Sequence, residues 1–216
     1  MTPNKEDYLK CIYEIGTEMQ KITNKEIATR MQVSPPAVTE MIKRMKSENL
    51  ILKDKENGYL LTDIGLKLVS ELYRKHRLIE VFLVHHLDYT SDQIHEEAEV
   101  LEHTVSDLFV ERLDKLLGFP QTCPHGGTIP AEGELLVEIN NLPLAAVQEA
   151  GTYLLTRVHD SFELLKYLEK HAIHIGDQLQ VKQFDSFSNS FTLVNKDEDL
   201  QVSMDIAKQL YVEKIN

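Results

Sequence analysis

The stretch His95-Glu96-Glu97-Ala98-Glu99-Val100-Leu101-Glu102-His103 concentrates side chains able to bind a metal. On a helix, Glu99, Glu102 and His103 fall at i, i+3 and i+4 and share a face. His95 lies four residues before Glu99 on that face. Carboxylate oxygens and imidazole nitrogens converging there can hold a divalent cation. The plain alternative is an exposed acidic face with two surface histidines. Val100, Leu101 and Val105 argue for partial burial of this helix, and like charges crowded near a core are unfavourable without a compensating cation. His76 and Glu80 repeat the i, i+4 spacing, where an ordinary ion pair is the simpler reading. Cys123-Pro124-His125 sets a thiol and an imidazole on one turn, a pair that suits a transition metal. An incidental Cys in a small loop explains that turn equally well. Asp7 is unremarkable in isolation.

These groups need elements to position them. The spacing of Tyr8, Leu9, Ile12, Ile15 and Met19 predicts a first helix to about Glu18, capped by Thr2 or Asn4, with Cys11 at the edge of its apolar stripe. Thr23 with Glu26 forms a capping box, so a short helix starts there. Ser34 caps a third helix with Pro35 at its first position. Val38, Met41, Ile42 and Met45 mark its buried side. Leu50–Lys53 and Tyr59–Thr62 read as strands around an Asn57-Gly58 turn. Helix, short helix, turn, helix and hairpin is the winged helix-turn-helix order.

A long helix from Thr62 or Asp63 to about His86 carries His76 and Glu80. A second is expected from Ser91 or Asp92 toward Val105, and a third over Ser106–Leu117. Their apolar surface exceeds what three helices can bury, which predicts a partner surface. Residues 118–133 read as a Pro- and Gly-rich connector. Beyond Ala150, strands at Tyr153–Val158, Gln178–Phe184, Ser190–Val194, Leu200–Met204 and Leu210–Val212, with a helix at Ser161–Lys170, suggest a compact β-barrel.

The chain has 216 residues and a net charge of −12, which taken whole argues against nucleic acid. The total conceals an asymmetry. Residues 1–77 hold 14 Lys and Arg against 11 Asp and Glu, or +3; residues 78–216 hold 9 against 24, or −15. The first third therefore remains a candidate DNA reader, with Lys43, Arg44 and Lys46 on the third helix and Lys53 and Lys55 in the wing. No apolar run is long enough to span a bilayer. The polar N-terminus is no secretory signal, and two cysteines suit a reducing cytoplasm. A Gly-rich phosphate loop, G-x-S-x-G and H-E-x-x-H are all missing, so the commonest enzyme signatures are absent.

Four segments carry a family resemblance: Asp7–Glu14, Val33–Thr39, Arg74–Glu80 and His95–His103. Together they resemble the DtxR/MntR family of metal-dependent transcriptional repressors, and most closely the manganese regulators of the ScaR/SloR type. The likeness runs over essentially the whole chain. Ile175-Gly176-Asp177 matches the glycine turn of the FeoA-type barrel found in longer members.

The resemblance implies a mainly α fold in three parts: a winged helix-turn-helix DNA-binding domain (1–72), a helical metal-binding and dimerisation domain (73–140), and a FeoA-like, Src-homology-3-like β-barrel (141–216). It places a regulatory metal site at Asp7, His76, Glu99, Glu102 and His103, and a second site at Glu80, Cys123, His125 and Asp160. His95 matches an ancillary ligand of the iron branch and falls in neither set. The iron branch carries Met and Cys where this chain has Asp7 and Glu99. Hard oxygen donors favour Mn²⁺, with Fe²⁺ or Zn²⁺ able to substitute in vitro. Short manganese-sensing members have a bridging Glu where this chain has Lys10, and a lysine cannot bridge cations, so no binuclear cluster is expected.

The implied function is a manganese-dependent, homodimeric, cytoplasmic repressor of metal-uptake genes that binds palindromic double-stranded DNA. Lys43, Arg44, Lys53 and Lys55 would hold phosphates; Ser34, Pro36, Thr39 and Glu40 would meet base edges. A di-iron carboxylate enzyme needs two Glu-x-x-His repeats, and the chain has no second copy. A peptide-binding adaptor would leave the carboxylate and histidine cluster unexplained.

Overall fold

The computed structural model describes residues 2–18, 21–90, 93–196 and 198–215. Met19 and the expected helix start at Ser91 or Asp92 lie outside the described residues. The chain divides into two compact units, one made of the residues up to Lys75 with Pro130–Leu136, the other of His76–Ile129 with the residues from Val137 onward.

The first unit contains α1 (Pro3–Glu18), α2 (Asn24–Arg30), α3 (Pro35–Ser47), the strands β1 (Ile51–Asp54) and β2 (Gly58–Leu61), and the first half of α4 (Asp63–Leu87). Local chemistry sets the boundaries. Thr23 Oγ1 accepts from the Glu26 N–H, and Ser34 Oγ accepts from the Ala37 N–H before Pro35 opens α3. Thr62 Oγ1 accepts from the Gly65 N–H at the start of α4. Leu9, Ile12 and Ile15 of α1 bury against Ile27, Val38, Ile42 and Met45. Each such side chain contributes about 1.5–3 kcal/mol through burial. The wing is tied back to the chain before α2, where Ile22 donates to Asn57 O and Tyr59 donates to Ile22 O.

The second unit takes the rest of α4, then α5 (Ile94–Glu102) and α6 (Asp107–Leu116), whose cap Ser106 accepts from the Phe109 N–H. Leu78, Ile79, Val81, Leu83, Ile94, Ala98, Val110 and Leu113 form its helical core, with Cys123 and Ile129 of the connector. The buried face of α5 is Ile94, Ala98 and Glu102. Val100, expected to face inward, is 65% exposed. A stripe centred on residues 94, 98 and 102 leaves position 100 on the opposite side of the helix.

The same unit ends in β3 (Gly151–Val158), α7 (Phe162–Lys170), β4 (Gln178–Asp185), β5 (Ser190–Asn195), β6 (Glu198–Ser203), α8 (Met204–Ala207) and β7 (Leu210–Lys214). Met204, expected to end a strand, instead opens α8, because Ser203 caps it by accepting from the Ile206 N–H. All five strands are antiparallel, in the order β6-β5-β4-β3-β7. The expected barrel is thus a sheet with two edges: no β6–β7 pairing occurs among the described residues. Leu142 and Pro143 cover part of the β7 edge, with Val212 donating to Leu142 O. Mainly α fits the helical elements before the connector but not this C-terminal sheet.

Candidate metal centre

Four separate elements of the second unit deliver side chains to one place. From α4 come His76 and Glu80, both fully buried. From α5 comes His95. The connector brings Cys123 and His125, and the turn after β3 brings Asp160. One ligand atom each from His76, Glu80, His95 and Asp160 lie within 4.8 Å of one another, and so do atoms of Glu80, Cys123 and His125. Glu80 belongs to both groups. Its Oε1 is 3.2 Å from His76 Nε2 and 3.1 Å from His125 Nδ1. Asp160 reaches His76 Nε2 at 3.3 Å, His95 Nδ1 at 3.0 Å and His125 Nδ1 at 3.5 Å.

Backbone bonds fix the two loops against each other. Gly126 donates to Cys123 O, and Cys123 donates to Gly127 O, which closes the turn. Val158, at the end of β3, donates to His125 O at 2.9 Å. Gly126 has φ +79°, and a Cβ there would fall 2.0 Å from Thr156 O. Only glycine allows the connector to lie this close to β3.

Carboxylates and imidazoles in this cluster shift one another strongly. Burial and the Asp160 charge push the Glu80 carboxyl up, but His125 and His76 outweigh them and hold it at about 2. Burial pushes His125 down, yet the Glu80 charge and its bonds to Cys123 and Glu80 raise it to about 12. Burial opposes ionisation of Asp160 too, and the bonds from His76 and His95 bring it well below the usual carboxylate range. The Cys123 thiol is pushed up, first by burial and then by Glu80. Both Glu80 oxygens and Asp160 Oδ1 are buried without an aligned hydrogen bond. Buried carboxylate oxygens without aligned donors, beside imidazoles and a thiol, fit a divalent transition metal.

A second set adjoins the first through His76. His76 Nδ1 lies 2.6 Å from Glu102 Oε2, and His103 Nε2 lies 3.4 Å from Glu102 Oε1. Glu99 points elsewhere in this structure: its side chain is 51% exposed, with Oε1 at 3.5 Å from His95 Nε2. The reason is the roll of α5, which buries Ile94, Ala98 and Glu102 and leaves Glu99, about 60° around the helix from Glu102, at the edge of that face. Asp7 sits on α1 of the first unit. Sequence reasoning puts His76 in one set only and His95 in neither, whereas in space both adjoin the Glu80 and Asp160 group. The i, i+4 spacing of His95 and Glu99 is the available signal for His95.

On the first unit, Ser34, Pro36, Thr39, Glu40, Lys43 and Arg44 of α3 and its cap are all exposed, as are Lys53 and Lys55 of the wing. Thr39 Oγ1 donates to Pro35 O and accepts from Asn24 Nδ2. Arg44 pairs with Glu40.

Family models match the chain in three consecutive parts. They are the iron dependent repressor N-terminal DNA binding domain (residues 1–59), the iron dependent repressor metal binding and dimerisation domain (62–131) and the FeoA domain (142–214). The crystal structure of ScaR with bound Zn²⁺ superposes with a TM-score of 0.94 at 64% identity, covering 98% of this chain and all of that one. The chain belongs to the DtxR/MntR family. It is a metal-dependent transcriptional repressor and not an enzyme. Other members of the family are also similar. The structure of the manganese regulator SloR matches at TM-score 0.91 and 59% identity, covering 100% of both chains. The diphtheria toxin repressor of Corynebacterium diphtheriae is 27% identical over 221 residues, 97% of this chain and 96% of its own. Among the described residues, this family member has no helix long and apolar enough to cross a membrane.

Proposed function

We propose that this repressor is activated by Mn²⁺ and then binds a palindromic operator as a homodimer, controlling genes of metal uptake. The observation that carries the metal reading is that both Glu80 oxygens and Asp160 Oδ1 are buried without aligned hydrogen bonds among three imidazoles and a thiol. Asp7 and Glu99 supply oxygen where sulfur would favour iron or softer metals, which supports manganese. The likeness to SloR, a manganese regulator, points the same way.

In this reading the chain works as three parts, 1–72, 73–140 and 141–216. Glu80, Cys123, His125 and Asp160 would hold one cation, with His76 and His95 beside them. Asp7, His76, Glu99, Glu102 and His103 would hold the regulatory one. Glu99 must turn from His95 to do so, which an exposed side chain does at little cost. Asp7 belongs to the DNA-binding part and the glutamates to the dimerisation part. Without a cation their like charges repel. With one, the sign reverses and the reading heads are fixed about one helical turn of DNA apart. The cation acts by favouring the competent state over the loose one. Lys43, Arg44, Lys53 and Lys55 face phosphates, while Ser34, Pro36, Thr39 and Glu40 face base edges. The exposed Val100, Leu108, Phe109 and Leu116 supply the dimer contact.

The test is fluorescence anisotropy of an operator duplex, titrated with protein in Mn²⁺ and in chelator. Tight binding only with Mn²⁺ is expected, and Glu99→Ala should weaken it while leaving the circular dichroism unchanged. Equal affinity in the two buffers would overturn the reading.

A further inference from the structure

Arg77 follows His76 on α4 and belongs to neither candidate ligand set, yet it is a buried charge with 8% exposure. Its Nη2 donates to Glu138 Oε1 at 2.6 Å, and its Nη1 donates to Thr128 O. Glu138 Oε2 in turn accepts from the Thr128 N–H at 2.9 Å, and Ile139 donates to Thr128 Oγ1 at 3.1 Å. Thr128 is therefore gripped at its N–H, its carbonyl and its hydroxyl. The guanidinium also lies against Gly127: a Cβ at that position would fall 2.6 Å from Arg77 Cζ and 2.8 Å from Nε and Nη2. Gly127 O is the acceptor for the Cys123 N–H, and Thr122 bridges Thr128. The base of the Cys123–Gly127 turn thus rests on one guanidinium and one carboxylate.

We infer that Arg77 and Glu138 are positioning residues for metal binding: through Gly127 and Thr128 they hold the turn that presents Cys123 and His125 to Glu80. Two forked groups, each sending one arm to Thr128 and joined to each other by the second arm, define its orientation as well as its distance. A hydrophobic staple would supply burial without that orientation, and a buried ion pair is seldom the more stable choice. Such supporting contacts matter because a ligand turn free to shift by an ångström forfeits coordination geometry. The inference rests on the reading of Cys123 and His125 as ligands, so the experiment separates the two.

Co²⁺ is titrated into the full-length protein, and the thiolate-to-cobalt charge-transfer absorption is followed. Wild type should show the band and Cys123→Ala should lack it. If wild type lacks it, the ligand reading itself fails. Given the band, Arg77→Lys keeps the charge but loses the planar fork, and Gly127→Ala keeps Arg77 but displaces it. Glu138→Gln keeps the shape and removes the charge, and serves if either of the others fails to fold. Each folded variant should bind Co²⁺ about 10–100-fold more weakly at the thiolate site, with a shifted band. Wild-type affinity and spectrum in folded Gly127→Ala and Glu138→Gln would overturn the positioning role.

Discussion

His76 Nδ1 lies 2.6 Å from Glu102 Oε2, and the second nitrogen of the same ring is 3.2 Å from Glu80. One buried imidazole on α4 therefore touches carboxylates of both proposed cation sites. His95 likewise stands between Glu99 and Asp160, so the two proposed sites adjoin through two imidazoles.

Replacing His76 by Ala leaves Glu80 and Glu102 short of a partner in the cation-free protein. Removing one member of a buried charged set costs about 3–5 kcal/mol. Urea unfolding of His76→Ala should show a loss of that order without metal, partly recovered in Mn²⁺. A variant as stable as wild type in chelator would mean that the imidazole does not offset these carboxylates.

Mn²⁺ affinity should rise with pH. His125, held at about 12, keeps its proton in the cation-free site, and a cation must displace that proton. His95 is raised too, because the Asp160 bond and charge outweigh burial. Each proton released makes affinity climb about tenfold per pH unit. Calorimetry at about pH 6.5 and about pH 8.5 reads this directly, and a flat affinity would show that no proton leaves.

Acid should weaken the cation-free fold. Glu80 is depressed from 4.5 to about 2, so its stabilisation is present above 4.5 and is lost as the pH falls through about 2. Glu138 is lowered as well: burial opposes ionisation, and the Arg77 charge with the Thr128 N–H prevails. The His125 contribution has the opposite sense, being complete below 6.5 and lost only as the pH rises through about 12. Denaturation midpoints from about pH 5 to about pH 2.5 should fall for wild type and less steeply for Glu80→Gln.

Lys43→Ala should weaken operator binding evenly across sequences. Removing a cation that neutralises one phosphate lowers the slope of log K against log salt by about 0.9, counted once per protomer. Arg44 pairs with Glu40 and must leave that partner to serve a phosphate, so Arg44→Ala should cost less. An unchanged salt slope for Lys43→Ala would place the DNA elsewhere.

Leu116, 62% exposed on α6, should be intolerant of charge if its face is the dimer contact. Sedimentation of Leu116→Asp is expected to show monomers at concentrations where wild type is dimeric. A dimeric variant would move the interface to another face.

Much of this protein is legible in its sequence because the relevant chemistry is local. Thr23 with Glu26, Ser34 before Pro35, and Ser106 define helix starts within four residues. The His95–His103 spacing groups carboxylates and imidazoles on one helix before any packing is known. Tertiary structure alone decides how those side chains are shared. The roll of α5, set by burying Ile94 and Ala98, sends Glu102 inward and leaves Glu99 beside His95. His76 meets Glu102 and Asp160 across 26 and 84 residues of chain, and Arg77 meets Glu138 across 61. No periodicity encodes such pairings. They arise where separate elements, each satisfying its own local rules, are packed so that buried charges find one another.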